Sequence, residues 1–354
     1  MLLGVGSEMT PSGISPVGSL ALVLLVVAVT WGIVVVPPAG SLALQVKGQP
    51  QPEVLDPASW GSDHVGKPVP EYMTGDECLF CHRKKVGPTW SANVHQTAMR
   101  IVEKKDAGWK ALAANKGTSE MATMAEYVLG GDTHSRYLRR AKGYGKLDLL
   151  SVSWDAPTDA REGRLVDSQA PKWDGEHFGK ACAGCHATGV DSKKQTFSAM
   201  SIDCFACHGS VELGHTKDTR LVHLSKRRAD SPRVVASLCG QCHIRSGVSR
   251  STGFPFANNF VAGDNLFRDL EVDLSSATIS GMEPGGRHVM QNIREMVLHR
   301  ETETTCLSCH DVHGQSTERH QELENQKLCF VCHFKDGPRS RVKSSRRHSS
   351  TCGY

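Results

Sequence analysis

The sequence predicts a mainly α-helical fold with much irregular loop and a small β-hairpin near residues 130–155. Apolar residues recur at helical spacing in residues 118–129 and 288–301, whereas they alternate in residues 147–154 as they do in a strand. Only 6% of the residues are aromatic and 34 are glycine. Because such a chain would struggle to fill a core with side chains alone, we expect other apolar bodies to complete it.

Capping and turn residues set the bounds of these predicted elements. Thr118 and Ser119 can cap the first helix, and Gly130-Gly131 would end it. The second helix carries its apolar residues on one face: Val289, Ile293, Met296 and Val297. The strand alternates Leu150, Val152 and Trp154. Residues 251–285 are rich in Gly, Pro and Asn and are predicted to be mostly loop.

Residues 1–46 are predicted to lie outside the folded body. Residues 20–36 form an uncharged, mostly apolar run of 17 residues, which is short for a membrane-spanning helix and long for a signal-peptide core. A cleaved signal peptide and a retained N-terminal membrane anchor therefore both stay open, and both predict export. The expected location is the periplasm, or the membrane with the chain facing the periplasm. Residues 47–71 are predicted to be an extended linker.

Twelve of the 13 cysteines form six Cys-x-x-Cys pairs, and a histidine follows each pair directly. The cysteines are Cys78, Cys81, Cys182, Cys185, Cys204, Cys207, Cys239, Cys242, Cys306, Cys309, Cys329 and Cys332. The histidines are His82, His186, His208, His243, His310 and His333. Disulfides would not need a histidine at each of these places. A zinc site would use four cysteines or a more distant histidine, and a redox-active dithiol would explain one pair.

Cys-x-x-Cys-His is the attachment sequence of c-type haem. Each thiol forms a thioether with a vinyl group, and the adjacent histidine is the proximal ligand of the iron. The sequence therefore predicts six covalently bound c-type haems, with a multihaem cytochrome c fold wrapped around them. The large porphyrins would supply the apolar material that the composition lacks.

The motifs fall within a predicted multihaem domain at residues 72–334. Haem 1 is expected at residues 78–82, haems 2–4 at residues 182–243 and haems 5–6 at residues 306–333. Short separations along the chain imply that neighbouring haems lie close together. Residues 335–354 are predicted to be a basic tail.

Histidines outside the motifs are numerous enough to supply a second axial ligand to every iron. Eleven of the 17 histidines lie outside the six motifs. Two imidazoles on one iron leave no open coordination position, so the surplus favours bis-histidine ligation. For any single histidine, a place on the surface is the competing interpretation.

Residues 72–95, with the sequence YMTGDECLFCHRKKVGPTWSANVH, resemble the opening of the cytochrome c-554 and c-prime family, where a Trp and then a His follow the first motif. Other stretches resemble the family in the same order, at residues 130–138, 182–189, 204–215, 239–243 and 299–314. The resemblance covers most of residues 72–334 and implies a multihaem fold. It also implies distal iron ligands at His95, His215, His299 and His313.

Two functions of different classes remain open. The first is electron transfer to and from redox partner proteins whose identity the sequence does not give. The second is reduction of a small nitrogen or sulfur oxyanion, which needs one haem with an open distal position. Every motif ends in His rather than Lys and no catalytic residue stands out, so an electron carrier is favoured over an enzyme. The net charge of +4 is small and gives no reason to expect nucleic acid as a partner.

Cys352 is the one cysteine outside the six motifs. Cys352-Gly353-Tyr354 would supply the start of a seventh motif, and His348 ahead of it is a further candidate for a distal ligand. We therefore expect the chain to be a fragment of a longer product with at least seven haems. The competing interpretation is a lone thiol on a basic tail.

Overall fold

The computed structural model describes residues 60–314, except residues 132, 168, 300, 301 and 309. The predicted leader at residues 1–46, the whole sixth motif, His348 and Cys352 lie outside the described residues. Among the helices of the described chain, none has both the length and the apolar character needed to cross a membrane.

Short helices carry the Cys-x-x-Cys-His motifs. Thr74 and Glu77 form a capping box ahead of the first motif. Asp203 and Ser231 cap the helices of the third and fourth motifs through their side-chain oxygens. The described α-helices are α1 (Gly75–His82), α2 (Gly87–Trp90), α3 (Ala107–Ala114), α4 (Ser119–Met124), α5 (Ala183–His186), α6 (Cys204–His208), α7 (Pro232–His243), α8 (Ser276–Ser280) and α9 (Pro284–Leu298).

Antiparallel strands occupy much of the chain between the first and second motifs. The described strands are β1 (Met99–Ile101), β2 (Tyr127–Gly130), β3 (His134–Arg140), β4 (Leu147–Asp155), β5 (Arg164–Val166), β6 (Trp173–Asp174), β7 (Ala187–Thr188), β8 (Ala199–Met200), β9 (Val248–Ser249) and β10 (Leu270–Glu271). A six-stranded sheet has the order β1-β2-β3-β4-β5, with β6 also paired to β4. The remaining strands form two small sheets, β7–β8 and β9–β10.

The predicted hairpin near residues 130–155 is present as β3 and β4, but these strands form the centre of a larger sheet. Alternation in β4 correctly predicted the strand. The described chain combines helices with small antiparallel sheets. The predicted fold class is therefore confirmed only in part, and its mainly α character is not confirmed.

The first predicted helix is shorter than its sequence pattern indicated. α4 ends at Met124, and Tyr127–Gly130 form β2 instead. Tyr127 and Leu129 pack on one face of the sheet and Val128 packs on the other. Pairing with β1 and β3 therefore overrides the helical spacing, because β-branched and aromatic residues fit a sheet that is buried on both faces.

The second predicted helix is present but begins earlier, at Pro284, and ends at Leu298. Proline suits the first helical position because the N–H that it lacks would have no partner there. The fully buried face consists of Met290, Ile293, Met296 and Val297, with Val289 only partly buried.

Three apolar clusters support the motifs. One face of the six-stranded sheet packs on α3 and α4 around Leu112 and Leu150. The opposite face packs on the chain that enters the second motif, through Phe178 and Ala183. The third cluster lies between α7 and α9 and contains Ile293. Side-chain packing thus fixes three parts of the chain: α3 with α4, the segment that enters the second motif, and α7 with α9. Cysteines of the second and fifth motifs, Cys182 and Cys306, are partly buried against these clusters.

Residues 60–64, within the predicted linker, pack on the folded body. The ring centroids of Trp60 and Phe267 are 6.1 Å apart. Ser62 Oγ donates a 2.6 Å hydrogen bond to Asp264, and His64 Nδ1 lies 2.8 Å from the same carboxylate. This segment is therefore held by specific side-chain contacts.

Candidate haem-binding centres

The four motifs described in full share one local geometry. Numbered in chain order, motifs 1 to 4 each end a helix at the motif histidine. Residues three and four apart lie on the same side of a helix, so both thiols and the imidazole can approach one face of a flat ligand. No disulfide joins the cysteines that the structure describes, which leaves their thiols free.

Motifs distant in sequence contact each other through their thiols. The thiols of Cys78 and Cys204 interact, and this interaction raises the pKa of Cys204 and lowers that of Cys78. The same relation joins Cys242 to Cys185 and Cys239 to Cys306. Motif 1 therefore lies against motif 3, while motif 4 contacts both motif 2 and motif 5.

Two further observations make motif 4 the centre of this arrangement. Cys185 Sγ lies 3.6 Å from the Gln241 carbonyl oxygen, and Cys242 Sγ lies 3.7 Å from that of Gly184. Motifs 2 and 4 therefore exchange reciprocal contacts. Cys207 of motif 3 lies close enough to influence both cysteines of motif 4 electrostatically. Its own burial raises the pKa of the Cys207 thiol to about 11.

Three motif histidines have a second imidazole at a nearly constant distance. The ring centroids of His82 and His215 are 6.3 Å apart, as are those of His243 and His95. The centroids of His208 and His313 are 5.9 Å apart. Metal–imidazole bonds of about 2 Å on both sides of an iron would separate two ring centroids by about 6 Å. The structure thus brings three expected distal ligands to three different motifs.

Hydrogen bonds at Nδ1 orient several of these rings. His208 Nδ1 donates to the His223 carbonyl oxygen at 2.6 Å, and His215 Nδ1 donates to that of Glu212 at 2.7 Å. A carbonyl oxygen only accepts, so the proton must be on Nδ1 and the lone pair on Nε2. An oriented imidazole with a free Nε2 is the form that binds a metal.

Burial also favours the neutral form of these imidazoles. It lowers the pKa of His208, and it lowers the pKa of His95 with a further contribution from His243. Burial and the nearby Arg245 likewise lower the pKa of His243. A neutral ring is required of an iron ligand, because a protonated nitrogen has no lone pair to donate.

Motif 2 differs from motifs 1, 3 and 4. His186 Nδ1 lies 3.4 Å from the Ala98 carbonyl oxygen, but none of the described imidazoles makes a ring contact with His186. Two guanidinium groups are close: Arg245 acts on His186, and Arg136 acts on Cys182. The Arg136 Nε is buried and has no hydrogen-bond partner among the described residues. Among the described residues, motif 2 therefore combines a motif histidine that faces no second imidazole with local positive charge.

Asp203 connects motifs 1 and 3, a role that no motif in the sequence indicates. Its carboxylate accepts hydrogen bonds from the Tyr72 hydroxyl, from the Gly75 N–H at 2.8 Å and from the Cys204 N–H at 2.6 Å. Burial, and next the bond to Asp203, raise the pKa of Tyr72. An Asp just ahead of a motif helix is a capping signal, so its local role was predictable. Its bond to another motif was not.

Asn93 is a second connecting residue that no sequence motif indicates. It is completely buried. Its Oδ1 accepts hydrogen bonds from the backbone N–H and the ring Nδ1 of His95, at 2.9 and 3.1 Å. Its Nδ2 donates to the carbonyl oxygens of Val312, at 3.0 Å, and Gly314. No sequence signal other than its place two residues before His95 marks it.

The remaining candidates lie next to residues that the structure does not describe, or among them. His299 follows the last residue of α9, and its Nε2 lies 3.6 Å from the Glu295 carboxylate. His310 of motif 5 is described, whereas Cys309 is not. Cys329, Cys332, His333 and His348 lie outside the described residues. Ligand roles for these residues stay predictions.

The donor set fits haem better than a lone metal ion. Within the described chain, no three His, Cys, Asp or Glu side chains converge on a site for a single ion, as a zinc site would require. Free thiols in pairs and imidazoles about 6 Å apart instead suit porphyrin iron with thioether attachment. This donor chemistry identifies the chain as a multihaem c-type cytochrome.

Comparisons with known proteins agree with this class. Residues 156–209 match the family "Cytochrome c554 and c-prime", and residues 299–337 match the family "Doubled CXXCH motif". These matches confirm the resemblance predicted from the motifs. A search of curated proteins gave no match.

One solved structure is similar, the undecaheme cytochrome from the S-layer of Carboxydothermus ferrireducens. The match has a TM-score of 0.43 and 17% identity, and it covers 77% of this chain and 44% of that one. The chain thus spans less than half the length of that structure.

Proposed function

We propose that this chain is an exported electron-transfer protein that carries six c-type haems, most of them held between two histidines. Each haem, when bound, accepts and releases one electron. The polypeptide would attach the haems through the motif cysteines and would hold the iron of most of them between two imidazoles. We further propose that it exchanges electrons with redox partner proteins on the outer side of the membrane that it crosses during export.

The observation that carries this proposal is the set of three imidazole pairs with centroids 5.9–6.3 Å apart. A second imidazole occupies the position that a substrate would need, so these centres suit electron transfer rather than catalysis. Contacts from motif 4 to motifs 2, 3 and 5 support a connected set of haems. In such a set, an electron could enter at one motif and leave at another.

Replacing His215 tests the ligation. In His215→Ala the haem of motif 1 should become high-spin, because a weaker ligand replaces imidazole, and added imidazole should restore the low-spin signal. Electron paramagnetic resonance of the ferric holoprotein is the measurement. His134→Ala is the matched control, because His134 is exposed and bonds only Asp155. An unchanged spectrum in His215→Ala would refute the assignment.

Motif 2 supports a second candidate function, the reduction of a small nitrogen or sulfur oxyanion. His186 has no facing imidazole among the described residues, and Arg136 and Arg245 lie near the motif. Guanidinium groups attract and orient anions, and an open iron position is what such an enzyme needs. The native ferric protein should then show one high-spin haem whose spectrum changes when nitrite or sulfite is added. A fully low-spin native spectrum would exclude this candidate.

A further inference from the structure

The side-chain amide of Asn93 joins two chain segments that are far apart in sequence. One segment leads into His95, and the other is residues 312–314 around His313. His95 pairs with His243 of motif 4, whereas His313 pairs with His208 of motif 3. One amide therefore contacts the two chain segments that hold His95 and His313, and these histidines face different motifs.

All the hydrogen-bonding groups of this amide are used. Oδ1 accepts two N–H groups from His95, and Nδ2 meets two carbonyl oxygens, those of Val312 and Gly314. Exchanging the oxygen and nitrogen would break all four bonds, so the amide has one orientation only. Because Asn93 is completely buried, water cannot replace a lost partner without rearrangement of the chain.

We propose that Asn93 is a shared positioning residue for the distal ligands of two haems. Its Oδ1 fixes the ring of His95 for the haem of motif 4. Its Nδ2 holds residues 312–314 so that His313 meets the haem of motif 3. This proposal rests on the bis-histidine ligation proposed above and adds that the two ligands depend on one side chain.

Two substitutions separate the two halves of the amide. Asn93→Ala removes both halves, so the haems of motifs 3 and 4 should both become partly high-spin. Asn93→Asp keeps an acceptor for His95 but places a carboxylate against the carbonyl oxygens of Val312 and Gly314. The haem of motif 3 should then become high-spin while that of motif 4 stays low-spin. The carboxylate should also make His95 a stronger donor to ferric iron and lower the reduction potential of that haem.

The experiment is electron paramagnetic resonance with a redox titration on the purified holoproteins. His95→Ala and His313→Ala provide the reference signals for loss of each ligand. Asn292→Ala is the matched control, because its exposed amide bonds only His288 on α9. Covalent haem content, measured on denatured protein, shows that each variant has matured. Asn93→Asp is nearly isosteric and provides the test if Asn93→Ala does not accumulate.

The expected result is a high-spin signal from two haems in Asn93→Ala and from one haem in Asn93→Asp. Native spin states and potentials in both variants would overturn the proposal, and so would an effect on one haem only in Asn93→Ala. If His95→Ala and His313→Ala themselves leave the spectrum unchanged, these histidines are not iron ligands and the ligation proposed above is wrong. The reference variants therefore distinguish failure of the ligation from failure of the shared support.

Discussion

At the scale of single residues, hydrogen bonds at Nδ1 orient a motif histidine and a histidine that faces a motif. The His208 ring donates to the carbonyl oxygen of His223, 15 residues along the chain, and the His95 ring donates to Asn93, which lies two residues before it. Such partners set the proton position and the direction of Nε2 before the iron is bound. We expect their loss to change spin state and potential more than stability.

Gly75 provides a test of the Asp203 contact. A Cβ at this position would lie 2.0 Å from Asp203 Oδ1, and the Gly75 N–H donates to the same carboxylate. Gly75→Ala should therefore destabilise the holoprotein by about 1–3 kcal/mol, the usual cost of overpacking. Thermal unfolding measures the effect. Gly286→Ala is the control because its Cβ would meet nothing within 4 Å, and equal stability of the two variants would contradict the prediction.

The relative orientation of paired imidazoles predicts two kinds of low-spin haem. The ring planes of His95 and His243 are inclined at 75°, whereas those of His82 and His215 are inclined at 32°. Nearly perpendicular planes leave the iron orbitals close in energy and give a highly anisotropic signal, while nearly parallel planes give a rhombic one. Ferric electron paramagnetic resonance should show both signals. His95→Ala should remove the anisotropic signal only, and loss of the rhombic signal instead would reverse the assignment.

At the scale of elements, helices that carry motifs depend on helices that carry none. α7 ends in motif 4 and packs on α9 through the cluster that contains Ile293 and Met296. The sequence predicted α9 well, because its apolar residues share one face and nothing else competes for them. It misjudged the end of α4 because Tyr127–Gly130 fit either a helix or a strand. Pairing partners elsewhere in the chain decided between the two.

Ile293 tests the dependence of motif 4 on α9. Its side chain is 1% exposed, so Ile293→Ala should destabilise the protein by about 2–5 kcal/mol through lost burial and an internal cavity. Denaturant unfolding of the holoprotein is the measurement. Gln291→Ala, at an exposed position of the same helix, should change stability little. If Gln291→Ala lowered the free energy of unfolding as much as Ile293→Ala, the loss of stability would come from a change in helix propensity rather than from the core.

At the scale of the whole molecule, the chain holds its motifs in contact by folding residues 95–101 and 312–314 onto motifs remote in sequence. The backbone N–H of Ile202 donates to the His95 carbonyl oxygen, and Met99 exchanges hydrogen bonds with Ser201. The short stretches of chain between successive motifs predict that these motifs lie close together, but they do not predict which motifs touch. The long-range contacts decide which motif meets which, and motif 1 meets motif 3 rather than motif 2.

The number of haems is a property of the whole chain that intact mass can test. Six complete motifs predict six covalent haem additions to the mature polypeptide. Cys329→Ser with Cys332→Ser should lower the number by one, because both thioethers of motif 6 are lost. Cys352→Ser should leave it unchanged, since Cys352 belongs to no complete motif. Fewer than six additions in the parent protein, made in a host with full haem-attachment machinery, would contradict the prediction.

By itself, the sequence determined the class of the protein, because covalent attachment of haem requires two thiols and a histidine within five consecutive residues. Local chemistry also determined the capped motif helices and β4. The tertiary structure decided which imidazole pairs with which motif, and it revealed Asp203 and Asn93 as links between motifs. These features depend on side chains and backbone groups brought together across as many as 221 residues, and their hydrogen bonds leave no periodic pattern or local spacing in the sequence.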